Sequence, residues 1–244
     1  MQPVPDLPPG DLAAGLAAAG GDLLPFAALG AVLGLDVVSF PQAMLSRPLV
    51  SATLAGALAG RPGAGLLVGA VLELFALETL PVGASRYPEW GSAAVVGGAL
   101  FAAQDDGRAG ALCLSVLCAL TTAWVGGMSM VLMRRLNGQL ARAHLERIAA
   151  GSARSVVGLQ LAGLGFDLLR GFALTAVALG LSLPLVRYAI ARWGVDPRLS
   201  RAVVVGLAAT VAGAAVWKLF HAVPRARWLF AGGIAAGLAA LAFR

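Results

Sequence analysis

Apolar runs alternate with short polar connections along the chain from residue 23 onward. The longest run, ALCLSVLCALTTAWVGGMSMVLM (111–133), has 23 residues and no charge. A helix needs about 20 apolar residues to cross the hydrocarbon core of a membrane. This run therefore predicts a spanning helix. Further apolar runs occupy 155–186, 202–217 and 228–243, and the last two are short enough to need snorkelling basic flanks.

The first half of the chain has shorter apolar runs. They cover 23–35, 49–60 and 92–103, and proline, glycine and polar residues separate them. This pattern is typical of re-entrant or discontinuous helices, whose freed backbone groups face protein or a watery cavity. Ordinary kinked spans over 12–35 and 49–84 are the alternative. The sequence thus predicts an all-α, polytopic membrane protein with about 6–8 hydrophobic helical segments, some of them re-entrant or discontinuous in the first half.

The composition agrees with a membrane protein. Apolar residues make up 59 % of the chain and charged residues 12 %, and the mean hydropathy is +0.84. Soluble domains have about 45–50 % apolar and about 25 % charged residues. A transmembrane barrel would instead show short alternating segments.

The distribution of polar residues indicates an N-terminal tail and a single membrane domain. The start, MQPVPDLPPGD, has four prolines and no basic region, which indicates a flexible tail over 1–22 and not a cleaved signal. A single membrane domain is expected over 23–244. We divide it into a broken-helix substrate core (23–110), a spanning helix (111–133), a basic stretch (134–155) and C-terminal helices (156–244).

The net charge of +6 is concentrated after the spanning helix. Five arginines and one acid, Glu146, lie in MRRLNGQLARAHLERIAAGSAR. The positive-inside rule makes this stretch cytoplasmic and explains its charge without nucleic acid. A later connection, RYAIARWGVDPRLSR, also carries four arginines. Either the 155–186 run folds back, or that connection faces outside as an exception to the rule.

Two carboxylates interrupt the apolar segment GAVLELFALETLPVG (69–83). A charge at bilayer depth costs several kcal/mol unless it is paired, solvated or neutralised. Neither Glu73 nor Glu78 has a basic residue within four positions. Arg47 and Arg86 are the nearest candidate partners in the chain.

Asp167 and Arg170 are spaced three apart on a predicted helix. They can neutralise each other there, so they form either a structural pair or a ligand contact. Carboxylates, amides and arginines beside broken helices suit a polyol ligand, and they suit an ion or a proton relay equally well.

The sequence has no signature of a catalytic or metal centre. It lacks a phosphate-binding loop, an HExxH motif and a histidine pair, and His144 and His221 are far apart. Cys113 and Cys118 lie in an apolar run and are expected to pack between helices. We expect no metal site, no cofactor and no phosphoacceptor.

The order of motifs in the first half resembles the IIC membrane subunit of the mannose/fructose/sorbose-type sugar phosphotransferase system (PTS). The resemblance covers roughly 30–243 and is most specific over 35–93, followed by RRLN at 134–137. The matching pieces are Arg47-Pro48-Leu49, the turn near Gly60 to Gly65, Gly69 to Glu73, Val82-Gly83, and Pro88-Glu89 where the family usually has Pro-Asp.

This resemblance implies a permease subunit in the bacterial inner membrane. Such a subunit pairs with a IID membrane subunit and translocates a hexose-like sugar, which a cytoplasmic IIB subunit, charged by IIA, phosphorylates. The chain itself would be non-catalytic, and an oligomer in contact with lipid is expected. The implied substrate-binding residues are Asp36, Gln42, Arg47, Glu73 and Glu89.

Two other functions are compatible with the sequence. The chain could be a IIC-like regulatory or orphan membrane partner in an incomplete phosphotransferase system. It could also be an ion- or proton-coupled secondary carrier, in which Glu73 and Glu78 would titrate.

Overall fold

A computed structural model describes residues 11–37, 39–77, 86–104, 110–220 and 223–242. Within these ranges the chain is helical and has no strand. The described residues form nine helices: α1 (Asp11–Leu35), α2 (Pro48–Leu58), α3 (Pro62–Ala76), α4 (Trp90–Ala102), α5 (Ala111–Ala143), α6 (Leu145–Ala149), α7 (Ala153–Ala191), α8 (Pro197–Phe220) and α9 (Ala226–Ala242). All except the short α6 are apolar. The predicted all-α polytopic class, with 6–8 hydrophobic segments, is therefore confirmed. Helix α1 begins inside the segment that the sequence predicts as a tail.

Three helices, α5, α7 and α8, are long and apolar enough to cross a membrane. At about 1.5 Å per residue, the 39 residues of α7 reach well beyond a hydrocarbon core of about 30 Å. Helix α7 is continuous although Pro184 lies inside it, so the 155–186 run does not fold back. The connection between α7 and α8 lies at the other end of α7 from the basic stretch. If the basic stretch is cytoplasmic and α7 crosses the membrane once, this connection faces outside as an exception to the charge rule.

Three helices of the first half that follow α1 are short, and proline or glycine marks the breaks at α2 and α3. Helices α2, α3 and α4 have 11, 15 and 13 residues. Pro48 and Pro62 begin α2 and α3, where a missing N–H costs nothing. Gly60, with a φ of 75°, makes the tight turn between them. The two helices then pack closely, because a Cβ on Gly56 would lie 2.7 Å from the Gly65 Cα.

Helix α4 forms the centre of the bundle. Every residue of α4 except Phe101 is buried, and the helix packs against α1, α2, α3, α5 and α7. Helices α7 and α9 carry large exposed apolar side chains, such as Leu181 (69 % exposed) and Trp228 (70 % exposed). An apolar exterior of this kind suits contact with lipid.

Two pairs of helix ends contact each other in the first half of the chain. The Glu89 amide donates to the Ala123 carbonyl (2.9 Å), so α4 begins beside the middle of the apolar run of α5. The end of α1 lies against the start of α4, because a Cβ on Gly91 would come within 2.4 Å of the Leu33 carbonyl oxygen. The end of α3 likewise contacts the start of α2, through the Glu73 side chain and the Leu49 amide. Irregular backbone at this depth must be satisfied by protein groups or water.

Candidate functional site

Glu73 is held by Arg47 across the α2–α3 hairpin. The Glu73 Oε1 atom accepts hydrogen bonds from Arg47 Nε (2.7 Å) and Nη2. Its Oε2 atom accepts from the Leu49 amide at 3.1 Å, one of the first free donors of α2 after Pro48. The Arg47 and Glu73 side chains are 34 % and 22 % exposed. Of the two partners considered from the sequence, the structure brings Arg47 to Glu73.

The guanidinium of Arg86, the other candidate partner, lies over the Trp124 ring, 5.5 Å from the ring centroid. Glu78, the other carboxylate of the segment, lies outside the residues that the structure describes. Its partner and its role stay predictions.

Asp36 organises the connection between α1 and α2. Its buried carboxylate accepts hydrogen bonds from the Ala43 amide (2.7 Å), the Ser46 amide (2.9 Å) and the Ser46 hydroxyl (3.0 Å). Three donors of an irregular segment are thereby satisfied by one side chain. Gln42 lies in the same connection with a φ of 58°, and it is exposed. Asp36 thus fixes the segment that carries Gln42 and Arg47.

Glu89 is the N-terminal cap of α4 and is completely buried. Its Oε1 atom accepts a hydrogen bond from the Ser92 amide (3.0 Å) and caps the helix. Its Oε2 atom is buried and has no hydrogen-bond partner. Helix α5 comes very close at this level, because a Cβ on Gly126 would lie 2.8 Å from the Glu89 Cβ.

Asp167 and Arg170 form a buried ion pair on α7. Arg170 Nε donates to Asp167 Oδ1 at 2.9 Å, and Nη2 lies 2.8 Å from the same oxygen. The Asp167 Oδ2 atom accepts from the Ser39 hydroxyl at 2.6 Å. Arg170 Nη1 donates to the Ser129 hydroxyl at 3.2 Å. The pair therefore links α7 to α5 and to the α1–α2 connection.

These side chains form one buried polar cluster, which we call the polar core: Ser39, Glu89, Ser92, Ser129, Asp167 and Arg170. It holds two carboxylates and one guanidinium. Ser39, Ser92 and Ser129 were not predicted from the sequence. Ser92 and Ser129 lie in apolar helices, where a hydroxyl commonly bonds its own backbone, and Ser39 lies in the α1–α2 connection. Ser92 in fact donates to the Gly30 carbonyl of α1 (3.1 Å).

His144 and the two cysteines lie outside the polar core. A ring nitrogen of His144 lies 2.9 Å from the Leu140 carbonyl of its own helix turn, and His221 lies outside the described residues. Cys113 and Cys118 are partly buried free thiols. In the described part of the chain, histidine, cysteine, aspartate and glutamate form no group of three that could hold a metal.

The fold and the polar core define a multi-pass helical membrane protein with a polar site where short helices break. Residues 22–193 match the protein family described as "PTS system sorbose-specific iic component", and the chain belongs to that family. The same fold occurs in a solved structure described as "Structure of membrane protein", with 20 % identity and a TM-score of 0.67 over 91 % of this chain and 89 % of that one. No curated protein matches the sequence.

Proposed function

We propose that this chain is the sugar-translocating permease subunit of a phosphoenolpyruvate-dependent phosphotransferase system in a bacterial inner membrane. It would work with a IID membrane subunit and pass a hexose-like sugar to IIB, charged by IIA, for phosphorylation. Membership of the sorbose-specific IIC family supports this proposal. The family match includes all the broken helices of the first half. The chain would contribute transport and no phosphoacceptor.

The Arg47–Glu73 pair is the observation that carries the substrate assignment. Both side chains are partly exposed at a helix break, so a ligand can reach them. A carboxylate has about four acceptor sites and a guanidinium has five donors, and the contacts described above use only some of them. Two neighbouring hydroxyls of a sugar can therefore donate to Glu73 and accept from Arg47.

The other three predicted ligand residues are Asp36, Gln42 and Glu89, and they lie in different parts of the fold. Asp36 holds the connection on which Arg47 lies, and Gln42 is exposed on the same connection. Glu89 is buried in the polar core. We propose that Gln42 and Glu89 contact the sugar and that Asp36 positions the connection.

The test is sugar uptake by Glu73→Gln in vesicles that contain the IIA, IIB and IID subunits. A hydrogen bond to a charged group contributes about 1.5–3 kcal/mol, so we expect uptake at low sugar concentration to fall about 10- to 100-fold. Glu146→Gln, a matched change in the exposed basic stretch, is the control and should transport normally. Normal uptake by Glu73→Gln would contradict the substrate assignment.

The same preparation distinguishes the alternative functions. Uptake that needs a pH gradient and no phosphoryl donor would identify an ion- or proton-coupled carrier. Genes for IIA and IIB without a IID gene beside this one would favour a regulatory or orphan partner.

A further inference from the structure

Two buried polar atoms in the polar core lack hydrogen-bond partners. They are Glu89 Oε2 and Arg170 Nη2. Glu89 is 0 % exposed and the Arg170 side chain 9 %, and Nη2 lies near Asp167 Oδ1 without hydrogen-bond geometry. Buried polar groups in native proteins nearly always have a partner. An unused acceptor and an unused donor in one cluster therefore indicate a missing group.

Two glycines lie next to the unpartnered residues. A Cβ built on Gly34 would lie 3.0 Å from Ser92 Oγ, 3.6 Å from Glu89 Oε1 and 3.7 Å from Arg170 Nη2. One point beside α1 is thus close to a hydroxyl, a carboxylate and a guanidinium. On the α5 side, a Cβ on Gly126 would lie 3.2 Å from Glu89 Oε2. Gly34 of α1 therefore lies near both residues, and Gly126 of α5 lies near Glu89.

The chemistry of the two atoms defines what fits between them. An ionised carboxylate only accepts hydrogen bonds, and a guanidinium only donates them. A cation would satisfy Glu89 alone, and an anion would satisfy Arg170 alone. A hydroxyl donates to the first and accepts from the second at the same time.

We propose that Glu89 and Arg170 together bind one hydroxyl group near Gly34, so that Arg170 is a ligand-binding residue as well as the partner of Asp167. The assignment rests on the proposed function, which makes that hydroxyl one of the sugar's own. A bound water has the same hydrogen-bonding chemistry, and the experiment must separate the two sources.

The experiment combines Arg170→Lys with sugars that lack one hydroxyl. Lysine keeps the positive charge for Asp167 and removes the planar fork of donors. Equilibrium binding of L-sorbose, D-fructose, D-mannose and their monodeoxy analogues is measured on the full-length protein, purified with its IID partner. Arg192→Lys, at the exposed C-terminal cap of the same helix, is the matched control and should bind every sugar normally.

The expected result is a selective loss. Arg170→Lys should bind the parent sugar about tenfold more weakly, the equivalent of one charged hydrogen bond. One monodeoxy analogue should bind the variant and the unsubstituted protein equally, because the hydroxyl that Arg170 contacts is gone from it. The other analogues should keep the tenfold difference.

Two outcomes would overturn the assignment, and they can be told apart. If Arg170→Lys weakens all analogues by the same factor, or none, the bound group is a water or the role is purely structural, and the assignment is overturned. If the unsubstituted complex binds no sugar, the proposed function fails and the assignment fails with it. If Arg170→Lys is not monodisperse on size exclusion, Gly34→Ala, whose added Cβ would lie close to both residues, decides by the same selective pattern.

Discussion

The ion pair on α7 allows a quantitative prediction about stability. Asp167 is completely buried and makes three close contacts, with Ser39 Oγ (2.6 Å), Arg170 Nε (2.9 Å) and Arg170 Nη2 (2.8 Å). Breaking a buried pair by removing one charge costs about 3–5 kcal/mol, because the other charge is left uncompensated. We expect Asp167→Asn to lower the free energy of unfolding by about that amount, measured by reversible SDS denaturation in mixed micelles.

A double-mutant cycle tests the reason for that loss. Asp167→Asn combined with Arg170→Gln removes both charges and leaves an amide at each position, of which only asparagine matches the shape of the residue that it replaces. The double variant should lose about as much stability as either single variant, so the coupling should be about 3–5 kcal/mol. Additive losses, or a single-variant loss below about 1 kcal/mol, would show that water solvates the pair and would refute the argument from burial.

Three other stability predictions use the same denaturation assay. Gly65→Ala places a Cβ 2.2 Å from the Ala52 carbonyl oxygen and should cost about 1–3 kcal/mol by overpacking, whereas Gly63→Ala, with open space around it, should cost nothing. Arg61→Ala removes the donor to two carbonyls at the C-terminal end of α4 and should cost about 1–3 kcal/mol. Asp36→Ala frees three donors of the α1–α2 connection, should cost about 2–3 kcal/mol, and should speed proteolysis within that connection; an unchanged cleavage rate would contradict its organising role.

The helical architecture could be predicted from the sequence because it depends on local patterns. Length and lack of charge identify α5, and proline and glycine mark the breaks around α2 and α3. The bounds of α7 were harder to predict. Arg187 and Arg192 fall within or at the end of that helix, and the charge rule describes loops and gives no information about the length of a helix.

The polar core could be predicted only in part. The spacing of Asp167 and Arg170 makes their pair visible in the sequence. Their contacts to Ser39 and Ser129 join residues that lie far apart in the chain. In the sequence, Glu89 lies in a short polar connection between two apolar runs. It is buried because α4 begins in the interior, against α5. Such placements depend on tertiary packing and have no local signature.

Three carboxylates of the first half, Asp36, Glu73 and Glu89, have the same structural role. Each helix that ends inside the bundle leaves backbone groups without helical partners, and such groups are costly away from water. Glu73 accepts from the start of α2, Glu89 from the start of α4, and Asp36 from the connection that precedes α2. Two of these carboxylates, Glu73 and Glu89, are the ones that we propose also bind the sugar. Loss of transport in a variant of any of them therefore assigns a role in binding only when the free energy of unfolding is measured on the same protein.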